Sequence, residues 1–373
     1  LMSDAPAHQV FVLLPPIDPA AASLPEPLCA IQVCLEGEIS RQAVMNALGR
    51  GERSEGDLIP WLVAQQYQDE DFAALSGARV VRIATHPDYA GMGYGSRALD
   101  QLRGFYQGQF FSMREGEGAD DGEGASPGAD EHGLQRVSDR ELAAADLRRD
   151  LVGVRDPASL PALFLRLAEK RPARLHWLGV SYGLTPSLHK FWKRAGYVPV
   201  YMRQTSNELT GEYTCVMLNE LPSADMAVRA KEQWLAAFAR DFHHRFATLL
   251  SYSFKDFTVM LAMAILDAAN AGPAAELTEY ARSDLVRDFN GYDLKRLESY
   301  ANHLLDYHVV LDLLPTISTL YFDARFGASV SLSGVQACIL LGLGLQRKSV
   351  DEVEKELNLP SRQILALFTK ILR

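Results

Sequence analysis

The sequence has few cysteines, and their spacing does not favour a zinc site. Cys29, Cys34, Cys215 and Cys338 form no Cys-x-x-Cys pair and are typical of reduced, buried thiols in an intracellular protein. No Gly-Lys pair occurs, which excludes a Walker-type nucleotide-binding loop. No run of about eighteen apolar residues could span a membrane. The sequence therefore predicts no metal site, no membrane span and no ATP site.

The chain also lacks the positive charge that is typical of nucleic-acid-binding proteins, because its net charge is -10. Much of this charge lies in a Gly/Glu/Asp-rich stretch, residues 112–133, where seven acidic residues against one arginine give -6. The other residues together carry -4, and residues 229–255 carry +3. Net charge therefore does not exclude RNA as a partner. We interpret residues 112–133 as a disordered acidic insertion.

The most informative stretch changes from strand to helix across three glycines between residues 91 and 95. Val80–Ile83 is a β-branched run typical of a buried strand, and Pro87 ends it. A helix is predicted from Ser96 onward. Glycines let backbone N–H groups face a ligand, and a helix N-terminus adds unpaired donors with partial positive charge. The stretch therefore predicts a phosphate-binding loop.

Three interpretations of this loop are open. Gly93-x-Gly95-x-x-Ala98 satisfies a dinucleotide fingerprint, but His86–Ala90 separates it from the strand, and an acidic glycine-rich tract follows where a second strand should end. The second interpretation is a glycine-rich turn that binds no ligand, although glycines without such a role lower the stability of the fold. Third, the stretch resembles the GNAT acetyltransferase pyrophosphate loop, Gln/Arg-x-x-Gly-x-Gly/Ala, with Ala90 departing from its first position.

A second segment supports the third interpretation. Leu175–Val180 predicts a strand, Thr185 a helix N-cap with Pro186 at the first position, and Gly196 the helix end. Another strand is predicted at Tyr197–Tyr201. This order resembles the fifth strand, fourth helix and next strand of a GNAT core.

Several motifs narrow the resemblance to one family, the RNA cytidine acetyltransferases. They are HPDYAGMGYGSRAL, LGVSYGLTPSLHKFWKRAGY, LTGEYTCVMLNEL, LCAIQVCLEGEISRQ, YDLKRLESYANHLLDYH and LGLGLQRKSVDEVEKEL. Apart from the acidic insertion, they cover nearly the whole chain. Because the chain begins at Leu1 and its opening has no signal-peptide pattern, we expect it to be a piece of a longer protein.

The resemblance implies an α+β fold: a GNAT domain with a mixed sheet over residues 1–220, then an all-helical RNA- or tRNA-binding domain over 221–373. Early strands are predicted at 10–14 and 29–35, and late ones near 197–203 and 213–218. Helices are predicted at 40–49, 58–67, 138–150 and 158–170. After Pro222 the period of 3.6 predicts helices near 224–250, 256–269, 275–289, 292–313, 315–325, 331–346, 349–357 and 361–372. The last pair has helix-turn-helix spacing, but its few basic residues favour a hairpin packed on its own domain.

The resemblance further implies transfer of an acetyl group from acetyl-CoA to N4 of cytidine in RNA. The expected cofactor contacts lie in the strand, the loop and the fourth helix. They are Ile83, Ala84, Thr85, Ala90, Gly91, Met92, Gly93, Tyr94, Gly95, Ser96 and Arg194.

The acid–base residues are less clear from the sequence. Many GNAT enzymes place a tyrosine four residues before the glycine that ends the fourth helix, to protonate the leaving thiolate. Trp192 stands there instead, and its indole cannot act as an acid. Tyr182 and His86 are the candidate replacements, although a tyrosine capping a loop and a histidine packed on Pro87 are the ordinary alternatives.

For RNA, the basic cluster Arg240, His243, His244 and Arg245 is the candidate phosphate contact, with a solvated helix face as the alternative. The resemblance implies 18S rRNA and tRNA as substrates, and snoRNA, pre-ribosomal proteins and a THUMP-domain tRNA adaptor as partners. It also implies a role in ribosome biogenesis, location in the nucleus and nucleolus, and ATP with magnesium only in the longer parent. A homodimer is also considered. Two other functions stay open: a GNAT enzyme that acetylates protein lysines or N-termini, and a non-catalytic RNA-binding scaffold.

Overall fold

The computed structural model describes residues 7–18, 23–51, 57–69, 71–110, 164–222, 234–270, 282–327 and 330–373. Two compact units are present: Leu1–Tyr106 with Arg174–Arg373, and Gln107–Ala173. The acidic stretch 112–133 and the helix predicted at 138–150 lie outside the described residues.

The helix predicted over 158–170 is wrong where it can be checked. Residues 164–170 contain only a turn, and residues 158–163 lie outside the described ranges. The Arg166 amide donates to the Glu169 carboxylate at 2.7 Å, and the Glu169 amide donates to Arg166 O at 3.0 Å. This local side-chain bond closes a single turn and competes with a continuing helix.

A six-stranded mixed sheet forms the centre of the larger unit, in the spatial order β1-β2-β3-β4-β6-β5. Adjacent strands are antiparallel except β3 and β4, which are parallel. The strands are β1 His8–Leu13, β2 Cys29–Gly37, β3 Ser76–Thr85, β4 Trp177–Gly183, β5 Val198–Met202 and β6 Thr214–Glu220. The predicted mixed sheet is confirmed.

Four α-helices accompany the sheet within the described residues. They are α1 Arg41–Arg50, α2 Leu58–Tyr67, α3 Tyr94–Tyr106 and α4 Pro186–Arg194. The predicted cap of α4 is confirmed, because the Thr185 side chain accepts from the Leu188 amide at 3.3 Å and Pro186 occupies the first turn. Helix α3 begins at Tyr94, two residues earlier than predicted, so its first turn includes two residues of the glycine loop.

The rest of the larger unit is helical. Its α-helices are α5 Trp234–Leu249, α6 Val259–Ala269, α7 Arg282–Asp288, α8 Gly291–Ala301, α9 Leu314–Phe322, α10 Gly334–Leu340, α11 Val350–Leu357 and α12 Ser361–Leu372. A 3₁₀ helix spans Tyr307–Leu313, and a π-helical segment spans Leu341–Leu345. Helix α12 buries Ile364 and Phe368 in one core with Tyr300 and Val310, so the α11–α12 pair packs on its own region.

The single helix predicted over 292–313 is wrong. Helix α8 ends at Ala301, and His303 adopts a positive φ of 61°. The Asp306 side chain then accepts from the His308 amide at 3.1 Å and starts the 3₁₀ helix. These local caps break the helix in a segment whose apolar spacing alone looks continuous.

One core joins the sheet to the helical region. Trp177 of β4 is fully buried with Val200 of β5, and Phe238 of α5 packs in the same cluster. The Tyr67 hydroxyl of α2 lies 2.5 Å from Val200 O and 3.1 Å from Phe238 O. Helix α5 also contacts β5, so this outer strand packs against the helical region.

The four cysteines are free and buried, as predicted. Over the described ranges, no helix is both long and apolar enough to cross a membrane. In the same ranges, no group of three or more His, Cys, Asp or Glu side chains could hold a metal ion.

Candidate active site

The central parallel strands β3 and β4 pair along only part of their length. Residues 77–80 pair with 177–180, and we call this part the closed half. Residues 81–85 and 181–183 continue without pairing to each other, and we call them the open half. There β3 stays paired to β2, and β4 stays paired to β6. The sheet is therefore parted between two ordered strands.

A β-bulge lies where the strands separate. On β2, Gln32 and Val33 are adjacent, but their partners on β3 are Arg82 and Val80, so Val81 is an extra residue. Such a residue interrupts the ladder and leaves a backbone group unpaired. The sequence predicted that Ile83, Ala84 and Thr85 line the gap, and all three lie in the open half. The bulge has no sequence signal, because Val81 is one more β-branched residue in the run.

The glycine loop follows the open half of β3 directly. The amides of Ala90 and Met92 donate to Pro87 O and Tyr89 O, at 3.1 Å and 3.3 Å. Five other amides have no acceptor in the part of the chain that the structure describes. They belong to Gly91, Gly93, Tyr94, Gly95 and Ser96.

Backbone geometry explains two of the three glycines. Gly91 and Gly93 have φ values of 79° and 90°, which side chains other than glycine rarely adopt. Their neighbourhood is open, with no atom within 4 Å of a built Cβ. Since the five free amides lie at the start of α3, they form a donor-rich, partly positive site that fits a diphosphate.

Gly95 lies where the loop, β3 and α4 meet. A Cβ built there would be 3.2 Å from Thr85 Oγ1 and 3.6 Å from Phe191 Cε2. The third glycine therefore permits a close approach rather than an unusual φ. The sequence did not predict this contact between Phe191 of α4 and the loop.

The two faces of the open half differ. The Thr85 side chain lies on the side of the sheet where α3 packs, because its Oγ1 is next to Gly95 of that helix. The Cys29 side chain, opposite Thr85 on β2, lies on the same side. Arg82 points to the opposite face, on which α2 packs, and is exposed. No side chain in the described ranges pairs with its guanidinium. We refer to these as the α3 face and the α2 face.

Tyr182 lies in the open half of β4, and its side chain is on the α3 face. Its hydroxyl is 3.2 Å from His189 Nδ1 on α4, and His189 Nε2 is 3.2 Å from Ala264 O on α6. An Nε2–H that donates to the carbonyl leaves Nδ1 free to accept the Tyr182 proton. Burial raises the pKa of Tyr182 far above its ordinary value and lowers the pKa of His189, so both groups are neutral near pH 7.

His86 lies at the other end of the open half, between β3 and the glycine loop. Its Nδ1 accepts from the Asp88 amide at 3.3 Å, and its Nε2 is 3.3 Å from the exposed Glu26 carboxylate. Its ring also packs on Tyr89, with centroids 5.4 Å apart. His86 therefore caps the turn that precedes the glycine loop.

The remaining cofactor candidate, Arg194, is exposed in the last turn of α4, and no described residue pairs with it. Trp192 on the same helix is 2 % exposed, and its indole packs on Tyr197 with centroids 5.0 Å apart. Trp192 therefore contributes to the core between α4 and the sheet.

The four candidate phosphate contacts on α5 do not form one exposed cationic patch. His243 is 4 % exposed, and its Nδ1 lies 3.5 Å from an Asp323 carboxylate oxygen. The Arg245 guanidinium donates to Gln66 of α2 at 3.3 Å and 3.2 Å. The period of the helix therefore places His243 and Arg245 on the side of α5 that contacts the rest of the protein. The other two, Arg240 and His244, are exposed.

Two charged side chains near the opening were missed from the sequence. Arg82 looked like part of a buried strand, and Glu212 lies outside the glycine loop and the fourth helix. Glu212 precedes β6, and its carboxylate lies against the last residue of β4, Gly183. A signal existed only for Arg82, because an arginine in a β-branched run is unusual for a buried strand.

Comparison with known proteins agrees with this geometry. Residues 1–222 match the family model described as "GNAT acetyltransferase 2", and residues 234–373 match one described as "Possible tRNA binding domain". Relatives named RNA cytidine acetyltransferase align with the whole chain. Those of Saccharomyces cerevisiae, Schizosaccharomyces pombe and Homo sapiens are 53 %, 51 % and 50 % identical.

The alignments cover 34 %, 35 % and 34 % of these three relatives, so the chain spans about a third of their length. The first family model covers more than half of the chain, and the sheet has the parting and the loop expected of that fold. The chain therefore belongs to the GNAT acetyltransferase 2 family.

Proposed function

We propose that this chain carries the acetyl-transfer site of an enzyme that acetylates N4 of cytidine in RNA, forming N4-acetylcytidine. The observation that carries the proposal is the parting of β3 from β4 beside five unpaired amides. The full-length relatives named RNA cytidine acetyltransferase support the choice of acceptor.

Acetyl-CoA is the acetyl donor in this proposal. The amides of Gly91 and of residues 93–96 bind its diphosphate, and Arg194 adds a cationic contact at the end of α4. Its thioester supplies the activated carbonyl group. Between the separated strands, the backbone at the Val81 bulge offers a donor to the carbonyl oxygen as negative charge develops there.

The RNA is proposed to approach the α2 face, where Arg82 is the exposed cation. The match of residues 234–373 to a possible tRNA-binding domain supports tRNA as one acceptor. The resemblance described above is the basis for 18S rRNA as another, for snoRNA, pre-ribosomal proteins and a THUMP-domain adaptor as partners, and for a nucleolar location. It is also the basis for ATP and magnesium acting elsewhere in a longer parent protein.

The test uses the full-length parent protein with acetyl-CoA labelled in the acetyl group, ATP, magnesium, and tRNA or an 18S rRNA helix. After digestion to nucleosides, mass spectrometry should detect labelled N4-acetylcytidine. The same preparation is offered lysine-containing peptides and protein N-termini. Acetylated peptides without acetylcytidine would select the protein-acetylating alternative.

Calorimetry separates an enzyme from a scaffold. We expect micromolar binding of acetyl-CoA to this chain. No heat of binding, with RNA still bound, would support the non-catalytic scaffold and overturn the proposal.

A further inference from the structure

A carboxylate occupies the position where a side chain at Gly183 would begin. A Cβ built on Gly183 would lie 2.2 Å from Glu212 Oε2 and 2.9 Å from Glu212 Cδ. Any other residue at 183 would displace this carboxylate. Within the described ranges, the carboxylate has no hydrogen-bond or ion-pair partner. Because residue 183 has no side chain, the unpaired Glu212 carboxylate can lie at the edge of the opening.

The alternation of β4 places Glu212 on the α2 face. A Cβ on Gly179 would meet Ile59 of α2 at 2.4 Å, and Gly183 is four residues further along the same regular strand. Tyr182 is on the opposite face, where its hydroxyl meets α4. The open half of β4 therefore carries an acidic side chain on one face and a phenol on the other.

These faces correspond to the two substrates of the proposed reaction. The phosphate-binding amides open α3, so acetyl-CoA reaches the opening from the α3 face. An acceptor nucleotide must then reach the thioester from the α2 face, because α3 and α4 cover the other. Glu212 lies on the side of the attacking amine, and Tyr182 on the side of the departing sulfur.

We propose that Glu212 is the general base of the acetyl transfer and that Gly183 is the glycine that lets its carboxylate reach the opening. The assignment depends on the proposed function. N4 of cytidine is neutral at the start, so a base is needed only after attack, when the nitrogen becomes cationic and acidic.

The step balances as follows. The N4 electron pair forms a bond to the thioester carbonyl carbon, which becomes tetrahedral. Glu212 takes the extra proton from N4. The carbon–sulfur bond then breaks with its electrons on sulfur, and the thiolate takes a proton from water. Glu212 returns the N4 proton to the solvent, which leaves N4-acetylcytidine, CoA and the carboxylate ready for the next cycle.

The experiment compares Glu212→Gln with Glu208→Gln in the full-length parent protein. Glu208 is an exposed carboxylate in the same β5–β6 connection, without a partner in the described ranges. We expect kcat for acetylcytidine formation to fall by about 10²- to 10⁴-fold in Glu212→Gln and to stay unchanged in Glu208→Gln. KM for acetyl-CoA should change in neither.

Three further variants distinguish a base from a structural contact. Gly183→Ala displaces the Glu212 carboxylate without removing it, so kcat should fall. Glu212→Asp keeps a carboxylate, so part of kcat should remain. In Glu212→Ala, added formate should restore the rate in proportion to its concentration, which a purely structural residue would not show. Calorimetry with acetyl-CoA checks that each variant is folded.

The outcomes separate the two proposals. If the unmodified protein forms no acetylcytidine, the proposed function and the base assignment both fail. If it is active and Glu212→Gln is equally active, or if formate does not restore Glu212→Ala, only the assignment of Glu212 is overturned.

Discussion

The closed and open halves of the β3–β4 pair belong to the same two strands but have opposite environments. In the closed half, Ala78 and Trp177 are fully buried, and the strands share hydrogen bonds. In the open half, Arg82 is exposed, and β4 offers it no backbone partner. The change takes place at one bulged residue, Val81. A core and a cleft can thus be built from one continuous strand when one residue interrupts its register.

The glycines of the two halves differ in the same way. Gly77 makes room for an indole, since its Cβ would lie 2.0 Å from Trp177 Cε2. Gly183 makes room for the Glu212 carboxylate, and Gly95 for the junction with Thr85. Glycine therefore serves packing in one half and access of polar groups in the other.

The largest effect is expected from placing a negative charge at the loop of the open half. Gly95→Glu sets a carboxylate among the phosphate-binding amides and crowds Thr85, so acetyl-CoA binding should weaken by more than about 100-fold. Gly49→Glu in α1, where no atom lies within 4 Å of a built Cβ, is the matched control. Calorimetry measures both, and unchanged binding in Gly95→Glu would place the diphosphate elsewhere.

Removing the bulge should abolish the difference between the halves. Deletion of Val81 leaves the in-and-out alternation of β3 intact and lets regular pairing extend beyond Val80. Losing the proposed oxyanion donor should lower kcat about 100-fold. Stopped-flow or steady-state assays of the parent protein measure kcat of the deletion variant. Full activity of the deletion variant would show that the bulge is dispensable.

A change in the closed half should affect stability instead of catalysis. Gly77→Ala forces a Cβ into the Trp177 ring, which should lower the free energy of unfolding by about 1–3 kcal/mol. Denaturant unfolding measures this loss, and acetyl-CoA affinity of the folded variant should be unchanged. Reduced affinity at full stability would mean that the two halves are not separable.

The smallest effect is expected from Arg82→Ala on the α2 face. If Arg82 contacts an RNA phosphate as proposed, its removal should weaken RNA binding a few-fold and reduce the slope of log K against log salt by about one. Arg50→Ala, an exposed arginine in the last turn of α1, should leave both unchanged. Filter binding over a salt series measures the slope. Equal effects of the two variants would point to a nonspecific contribution of charge.

Local patterns made much of the fold predictable. The Thr185 cap, Pro186 and the glycine loop act within a few residues of their own positions, so their spacing in the sequence is enough to locate them. The break near His303 was missed because its capping bonds compete with a periodic apolar pattern that spans both sides.

Long-range contacts limited the prediction of the site. The contact of Glu212 with Gly183 depends on the register of β4 against β6, which the sequence does not reveal for residues 29 positions apart. His243 looked like part of a basic run, but Asp323, 80 residues later, meets it in the folded chain. Such pairings become visible only when the elements are packed.

The packing of α5 against β5 has a consequence for dividing this protein. The two family models meet between residues 222 and 234, yet Phe238 and Trp177, one on each side, share a core. Cutting the chain at that junction would remove α5 from β5 and expose the apolar side chains of their common core. A recombinant fragment that ends at this junction should self-associate through the exposed apolar surface. Truncation boundaries for this protein are therefore better chosen from its core contacts than from the boundaries of the two family models.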